Sequence, residues 1–281
     1  MKKLLKLIKR IFGCKEKPVV ACVNLSGVIG KDSKLSSGIN FENSMPLIKK
    51  AFELDGVKAV AININSPGGS PVQSELVFDY IREISQEKKI PVYTFAQDLA
   101  ASGGYFILLA GDEIYAHNSS IIGSIGVIFS SFGFVNLINK IGIERRVYTE
   151  GKNKAILDPF LPEVSENIEI LKEAQNDVFE GFTSLVKTRR KGKLIGDENF
   201  QKNNIFTGAF WSGKKSLELG LIDGIANMRS KMQEKFGKDV KIINITAKKS
   251  FIKSLFSEKA DFSSDLLAKI EERTRFNHFG L

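Results

Sequence analysis

Histidine is scarce in this sequence: only two of its 281 residues are histidines. Histidine is the usual general base of serine hydrolases. His117 directly follows a short predicted strand, whereas His278 lies in the extreme C-terminal tail, where a catalytic role is not expected. The scarcity therefore disfavours histidine catalysis and leaves His117 as the only open candidate of this kind.

Cysteine is just as scarce, since Cys14 and Cys22 are the only two. They lie close together near the N-terminus, where a disulfide framework is not expected and where ligands for a metal are missing. This usage fits a reducing compartment. We expect no metal and no organic cofactor.

The chain also lacks an apolar run of about 20 residues, the length that a membrane-spanning helix requires. Residues 1–12 instead place Leu, Ile and Phe on one helical face and Lys and Arg on the other. Such a helix either lies in a membrane interface or packs on its own protein. We expect a cytoplasmic protein, or one peripherally associated with the inner membrane, with no transmembrane helix.

Lysine and arginine exceed aspartate and glutamate, and the formal net charge is +9. The basic residues are spread along the chain and accompany no nucleic-acid-binding motif, so no nucleic acid partner is expected. The length suits one large domain with extensions. We divide the chain into a basic amphipathic segment (1–17), a main domain (18–246) and a basic amphipathic tail (247–281).

Strand-like and helical runs alternate through the main domain. The run Val57–Ile64 is almost continuously apolar, as in parallel strands that are covered on both faces. The alternation predicts an α/β fold with a mostly parallel sheet. A long helical stretch at 162–190 is predicted to form an arm or an oligomer contact. Strands are predicted at 18–25, 57–64, 90–95, 113–116, 144–149 and 240–245.

Two glycine-rich turns follow predicted strands. Residues 65–69 read Asn-Ser-Pro-Gly-Gly and residues 100–104 read Ala-Ala-Ser-Gly-Gly. Sites in α/β folds lie at the carboxyl ends of strands. A serine in such a turn has an exposed hydroxyl, and small neighbours let a carbonyl carbon approach it. Ser102 is therefore the candidate nucleophile.

A serine nucleophile needs a base, and with histidine disfavoured the remaining candidate is a lysine kept neutral by burial. Lys154 follows a predicted strand and precedes the apolar residues Ile156 and Leu157. Lys152, two residues earlier, is its competitor.

Four blocks of the sequence, at 65–69, 100–105, 116–127 and 151–160, resemble in order and spacing the signature blocks of the signal peptide peptidase A (SppA) family. These are Ser/Lys-dyad serine peptidases with the Clp protease/crotonase type of fold. The resemblance implies that Ser102 is the nucleophile, that Lys154 is the general base and that the Ser124 hydroxyl holds and tunes the lysine. It also implies an oxyanion hole formed by the backbone N–H groups of Gly69 and Gly103.

The same resemblance implies an endopeptidase that cleaves apolar or small-residue peptides, such as remnant signal peptides. An extended substrate would bind beside Gly68. Ile122 and Ile125 are candidates for the apolar lining of the substrate site, as are Phe95 and Leu99, although core packing is the commoner role of such residues. The family also implies a ring-like homo-oligomer in which a neighbour can complete the site.

The sequence departs from the family pattern around the lysine. Asn153 stands where an aromatic residue is common and Ala155 where a small hydroxyl residue is common, which keeps Lys152 open. Two other functions remain as alternatives. A crotonase-type acyl-CoA enzyme would use a carboxylate in the same fold, and a non-catalytic scaffold at the membrane surface would depend on residues 1–12 instead.

Overall fold

The structure is a computed structural model, which describes residues 17–30, 38–195, 205–246 and 274–279. The amphipathic helix expected at 1–12 and most of the tail expected beyond residue 247 lie outside these ranges. Within them, no helix combines the length and the apolar character needed to cross a membrane.

Strands and helices alternate in the described part of the chain. The strands are β1 (Val19–Ser26), β2 (Val57–Ser66), β3 (Val92–Ala101), β4 (Glu113–Ala116), β5 (Ile121–Gly123), β6 (Phe210–Ser212), β7 (Gly224–Ile225) and β8 (Lys241–Asn244). The helices are α1 (Phe41–Phe52), α2 (Pro71–Lys88), α3 (Gly103–Leu108), α4 (Val135–Lys140), α5 (Ser165–Arg189), α6 (Gly213–Glu218) and α7 (Met228–Phe236).

The strands form one sheet in the order β6-β5-β3-β2-β1-β8, and β4 pairs with both β3 and β7. All pairs in this sheet are parallel except β5 with β6. The prediction of an α/β fold with a mostly parallel sheet is confirmed. Because β2 and β3 are parallel neighbours, their carboxyl ends meet at one edge of the sheet.

The central strands are buried on both faces, which explains their continuous apolar sequence. Residues Ala59–Ile64 of β2 are fully or almost fully buried. On one face they pack in the main core, to which the buried side chains of α1 and α2 belong. On the other face a smaller cluster joins Phe95 and Tyr115 to Met232 of α7.

The predicted strand at 144–149 is absent: these residues pair with no strand in the described ranges. Their charged side chains make surface ion pairs instead, with Arg145 2.8 Å from the Asp158 carboxylate and Arg146 beside Glu144. Tyr148 is 91% exposed. The long helix expected at 162–190 is confirmed as α5.

The C-terminal end of α5 is fixed by a buried ion pair. Arg190 is 1% exposed, and its guanidinium donates to both Asp223 carboxylate oxygens, at 2.9 and 3.0 Å. The Asp223 carboxylate also accepts from the Ile114 N–H at 2.8 Å, which ties the pair to β4. Burial raises the pKa of this carboxyl, but the hydrogen bonds from Arg190 and Lys193 outweigh burial and hold the pKa below its usual value.

Candidate active site

The two glycine-rich turns lie side by side at the carboxyl edge of the sheet. Ser66 at the end of β2 pairs with Ala100 near the end of β3. The turn containing Gly68 and Gly69 therefore lies next to the turn that begins at Ser102. This adjacency is the arrangement that the strand-end argument predicts.

Ser102 occupies a sharp turn between β3 and α3. Its backbone has φ of 52° and ψ of −122°, a conformation that costs a non-glycine residue free energy. Two hydrogen bonds hold it there: its N–H donates to the Gly123 carbonyl at 2.8 Å, and its carbonyl accepts from the Phe106 N–H at 3.0 Å. Its hydroxyl has no hydrogen-bond partner among the described residues and borders a cavity.

Glycine is required on the β2 side of this turn because the backbone of Gly68 packs directly against Ser102. A Cβ atom at Gly68, where φ is +100°, would lie 2.7 Å from the Ser102 Cβ and 2.9 Å from the Gly103 nitrogen. At Gly69, where φ is +148°, it would lie 2.0 Å from the Ile29 carbonyl oxygen. Neither contact is possible for a real side chain, so the two turns interlock only with glycine present.

Two backbone N–H groups beside Ser102, those of Gly69 and Gly103, have no acceptor among the described residues. Ile29 bonds the residues on either side of Gly69, because its N–H donates to the Gly68 carbonyl and its carbonyl accepts from the Ser70 N–H, both at 2.8 Å. In this parallel bridge, the Gly69 N–H faces away from Ile29. Gly103 is the first residue of α3, whose N–H has no acceptor within the helix. Both glycines border the cavity.

The cavity beside Ser102 has a volume of about 470 Å³. One wall is apolar, formed by Phe106 of α3 and by Val178 and Phe182 of α5. Within the described residues, the lining contains no lysine, aspartate or glutamate. The complete lining is Gly69, Pro71, Ser74, Ser102, Gly103, Phe106, Ser124, Gly126, Val127, Ile128, Val178, Phe182, Thr207, Gly208 and His278.

Ser124 borders the same cavity at the end of β5. Its φ is 52°, and its N–H donates to the Ala209 carbonyl at 2.7 Å. Of the predicted site residues, the structure thus brings together Ser102, Ser124, Gly69 and Gly103. The backbone of Gly68 packs against Ser102 and Gly103.

The predicted lining residues Ile122 and Ile125 lie elsewhere. Both are fully buried in the main core, and neither borders the cavity. Leu99 is also fully buried, and Phe95 belongs to the cluster on the opposite face of the sheet. Core packing explains all four.

Neither candidate lysine borders the cavity. Lys154 is exposed in the loop that precedes α5, and its aliphatic part lies against Gly151. Lys152 is also exposed, and its ammonium lies 3.3 Å from the Glu166 carboxylate. The structure therefore leaves the hydroxyl of Ser102 without a lysine from its own described chain.

Of the two histidines, His278 rather than His117 lies at the cavity. His117 is exposed after β4 and away from the cavity. His278, from a helical turn at 274–277 and the residues after it, borders the cavity instead. The neighbouring Phe279 stacks edge-on against Phe210 of β6, with ring centroids 5.1 Å apart. No local sequence signal connects His278 with the turn at Ser102, so only the tertiary structure reveals this neighbour.

Comparisons with known proteins find matching family models and a similar fold. The sequence model of peptidase family S49 matches residues 84–241, and that of Clp protease matches residues 35–122. A solved structure, a mutant of the 1510-N membrane-bound stomatin-specific protease, superposes with a TM-score of 0.50. It covers 83% of this chain and 100% of its own at 15% identity, a likeness of fold alone.

Two curated relatives match most of this chain. It is 46% identical over 239 residues to a protein of Brucella abortus named Na(+)/H(+) antiporter NhaA, which covers 85% of this chain but 32% of that protein. It is 32% identical to a putative signal peptide peptidase SppA of Enterococcus faecium, over 76% of this chain and 61% of that protein. The chain thus spans about a third to three-fifths of these relatives.

The antiporter name does not transfer to this chain, because the match covers only 32% of that protein. The S49 match, in contrast, covers more than half of the chain and includes both Ser102 and Ser124. The chain belongs to peptidase family S49.

Proposed function

We propose that the protein is a serine endopeptidase that hydrolyses peptide bonds through an acyl-enzyme on Ser102. The observation that carries the proposal is the strained turn at Ser102, whose unpartnered hydroxyl faces a cavity bordered by the free N–H groups of Gly69 and Gly103. A nucleophile beside two backbone donors is the arrangement that acyl transfer requires.

In the proposed reaction, the Ser102 Oγ attacks the carbonyl carbon of the substrate and its proton passes to a neutral lysine amine. The carbonyl oxygen becomes an oxyanion, to which the N–H groups of Gly69 and Gly103 donate. When the C–N bond breaks, the leaving amine takes the proton from the lysine. Water then hydrolyses the acyl-enzyme, and Ser102 regains its proton.

We assign the base to Lys154, supplied by a neighbouring copy of the chain. Lys152 already pairs with Glu166, and Lys154 makes no ion pair with any described residue. The loop containing Lys154 belongs to the stretch between β5 and α5, which exposes large apolar side chains to water. Ile128 is 87% exposed, Phe132 79% and Tyr148 91%. Exposed apolar surface of this kind marks an interface between proteins, and a homo-oligomer, ring-like as in the family, would cover it.

The apolar wall of Phe106, Val178 and Phe182 fits apolar or small side chains of an extended peptide. Remnant signal peptides have this character and are the proposed substrate class. A crotonase-type acyl-CoA reaction would give the Ser102 hydroxyl no part in the chemistry, so the strained serine turn favours the peptidase over it.

The proposal is tested by intact-protein mass after exposure to a fluorophosphonate, followed by peptide mapping. We expect a single adduct on Ser102 that is lost in Ser102→Ala and in Lys154→Ala but kept in Lys152→Ala. A folded, oligomeric wild type that stays unlabelled would contradict the peptidase function and favour the scaffold.

A further inference from the structure

We infer that Asn65 is a positioning residue for the nucleophile: its side-chain amide holds a bulge in β3 and so sets Ser102 relative to the Gly68–Gly69 turn. The inference rests on the proposed peptidase function, because positioning is measured through that reaction.

The bulge is visible in the pairing of β2 with β3. Ile64 pairs with Ala96, but the next pair is Ser66 with Ala100. One residue of β2 thus faces three residues of β3, so β3 carries two extra residues directly before the nucleophile turn. A bulge of this kind bends a strand and re-aims the residues beyond it.

On the other side of β3 the backbone ladder is interrupted at the same place, where the Ser120 hydroxyl donates to the Gln97 carbonyl at 2.5 Å. There β3 pairs with β4 up to Phe95 and Tyr115, and it pairs with β5 only from Leu99 and Ile121 onward. The bulged residues Gln97 and Asp98 therefore fall between two partner strands. The regular ladder alone does not fix the path of the chain into Ser102.

The side chain of Asn65 supplies support from β2, to the two bulge residues nearest the nucleophile turn. Its Oδ1 accepts from the Leu99 N–H at 3.2 Å, and its Nδ2 donates to the Asp98 carboxylate at 3.0 Å. The backbone of Asn65 is itself fixed, since its carbonyl accepts from the Gly27 N–H at 3.0 Å. An asparagine suits this place because one side chain must donate and accept at the same time.

These bonds tie together the two halves of the site. Asn65 lies three residues before Gly68, and it bonds Leu99, three residues before Ser102. The distance between the nucleophile and the oxyanion donor at Gly69 therefore depends on the two side-chain hydrogen bonds of Asn65. A displacement of about 1 Å between reacting groups costs roughly 100-fold in rate.

The test exchanges the hydrogen-bond donor and acceptor between Asn65 and Asp98. Asn65→Asp keeps an acceptor for the Leu99 N–H but sets two carboxylates against each other. Asp98→Asn keeps an acceptor for the Asn65 amide, and the double variant Asn65→Asp/Asp98→Asn restores the pair with the roles reversed. We expect Asn65→Asp to lower kcat on an apolar peptide amide about tenfold or more, with KM changed by less than about twofold.

The single Asp98→Asn variant and the double variant should both retain kcat within about threefold of wild type. Asn65→Leu, which removes both bonds at similar volume, should lose at least as much kcat as Asn65→Asp. Each kcat is normalised to the fraction of Ser102 that a fluorophosphonate labels, so that misfolded protein does not count as slow enzyme.

Asn24→Ala is the matched control. Asn24 is exposed on β1 and accepts from the Asn63 Nδ2 at 2.8 Å, a similar amide bond one strand away that does not touch β3. Its loss should lower the thermal midpoint without changing kcat. A kcat loss in Asn24→Ala equal to that in Asn65→Leu would show a general effect of sheet stability and overturn the inference.

The outcomes separate the inference from the proposed function. If wild type neither labels at Ser102 nor cleaves peptides, the proposed function fails and the positioning role falls with it. If wild type labels and cleaves but Asn65→Asp matches it in kcat, or if the double variant stays as slow as Asn65→Asp, the inference alone is wrong.

Discussion

Ser102 and Ser124 share a positive φ of 52° at the ends of the neighbouring strands β3 and β5. Positive φ is unfavourable for a residue with a Cβ.

The backbone strain at Ser102 can be measured from the stability of two variants. Ser102→Gly should have a free energy of unfolding about 1 kcal/mol above that of Ser102→Ala, because glycine adopts this φ without strain. Urea denaturation of both inactive variants measures this difference, and an alanine variant as stable as the glycine variant would contradict it.

Gly68→Ala should displace the nucleophile. Its Cβ would lie 2.7 Å from the Ser102 Cβ, so one of the two turns must shift. We expect the rate of fluorophosphonate labelling to fall roughly 100-fold, measured by mass against time. Gly181→Ala in α5 is the control, because an added Cβ meets no atom within 4 Å there. That variant should label at the wild-type rate.

Lys154→Ala and Lys152→Ala should differ sharply in activity. Lys152 makes only an exposed ion pair, of the kind worth at most about 1 kcal/mol, so its loss should leave kcat nearly unchanged. Lys154→Ala should abolish measurable turnover. Mixing inactive Ser102→Ala with inactive Lys154→Ala should restore cleavage, because a neighbouring copy then supplies the missing group. Mixtures that stay inactive after subunit exchange would refute the shared site.

Val178→Phe should narrow the cavity. Val178 borders it from α5 and is 38% exposed, so a larger side chain fits without disturbing the core. We expect kcat/KM for peptides with a bulky apolar residue at the cleavage site to fall about tenfold or more, and that for alanine peptides to change less. Ile170→Phe, on the same helix but away from the cavity, should change neither value.

Asp223→Asn should destabilise the fold in a pH-dependent manner. At neutral pH it leaves Arg190 buried without its counter-charge, at a cost of about 3 kcal/mol. Because the folded-state pKa of Asp223 is depressed, its contribution is complete above the unfolded-state pKa and is lost as pH falls through the folded-state pKa. The two denaturation free energies should therefore converge in acid. A difference that stays constant down to low pH would contradict this assignment.

The sequence pattern predicts most of the sheet but not the course of β3. The predicted strand ends at Phe95, whereas β3 continues to Ala101. The exposed polar residues Gln97 and Asp98 interrupt the apolar pattern there, because they form the bulge. The glycines and polar residues at 206–213 favour a turn, but a three-residue antiparallel strand, β6, lies within them. Strands this short carry too few residues for a recognisable period.

Part of the candidate site can likewise be predicted from the sequence, and part cannot. Local turn chemistry predicts the turn at Ser102 and its place beside the glycine-rich turn after β2, whereas the roles of Gly69 and Gly103 come from the family resemblance and stay a prediction. Long-range packing decides which residues form the cavity wall beside Ser102. Val178 and Phe182 come from α5, and no sequence periodicity indicates which helix covers a given turn. Ile122 and Ile125 are predicted as lining residues, yet both side chains pack into the main core. Apolar character does not distinguish a pocket wall from a core.

The bulge in β3 makes this site sensitive to chain length. Side chains alternate between the two faces of a strand, so removing or adding one residue between Ala96 and Ala101 would turn every later position over. An added residue would bring Ala101 to the place of Ser102, and a deletion would bring Gly103 there. Substitutions at Gln97 are consequently tolerable, whereas single-residue deletions at the same place are not. Homologous or engineered chains that keep this chemistry should keep the number of residues in this interval, whatever their identity.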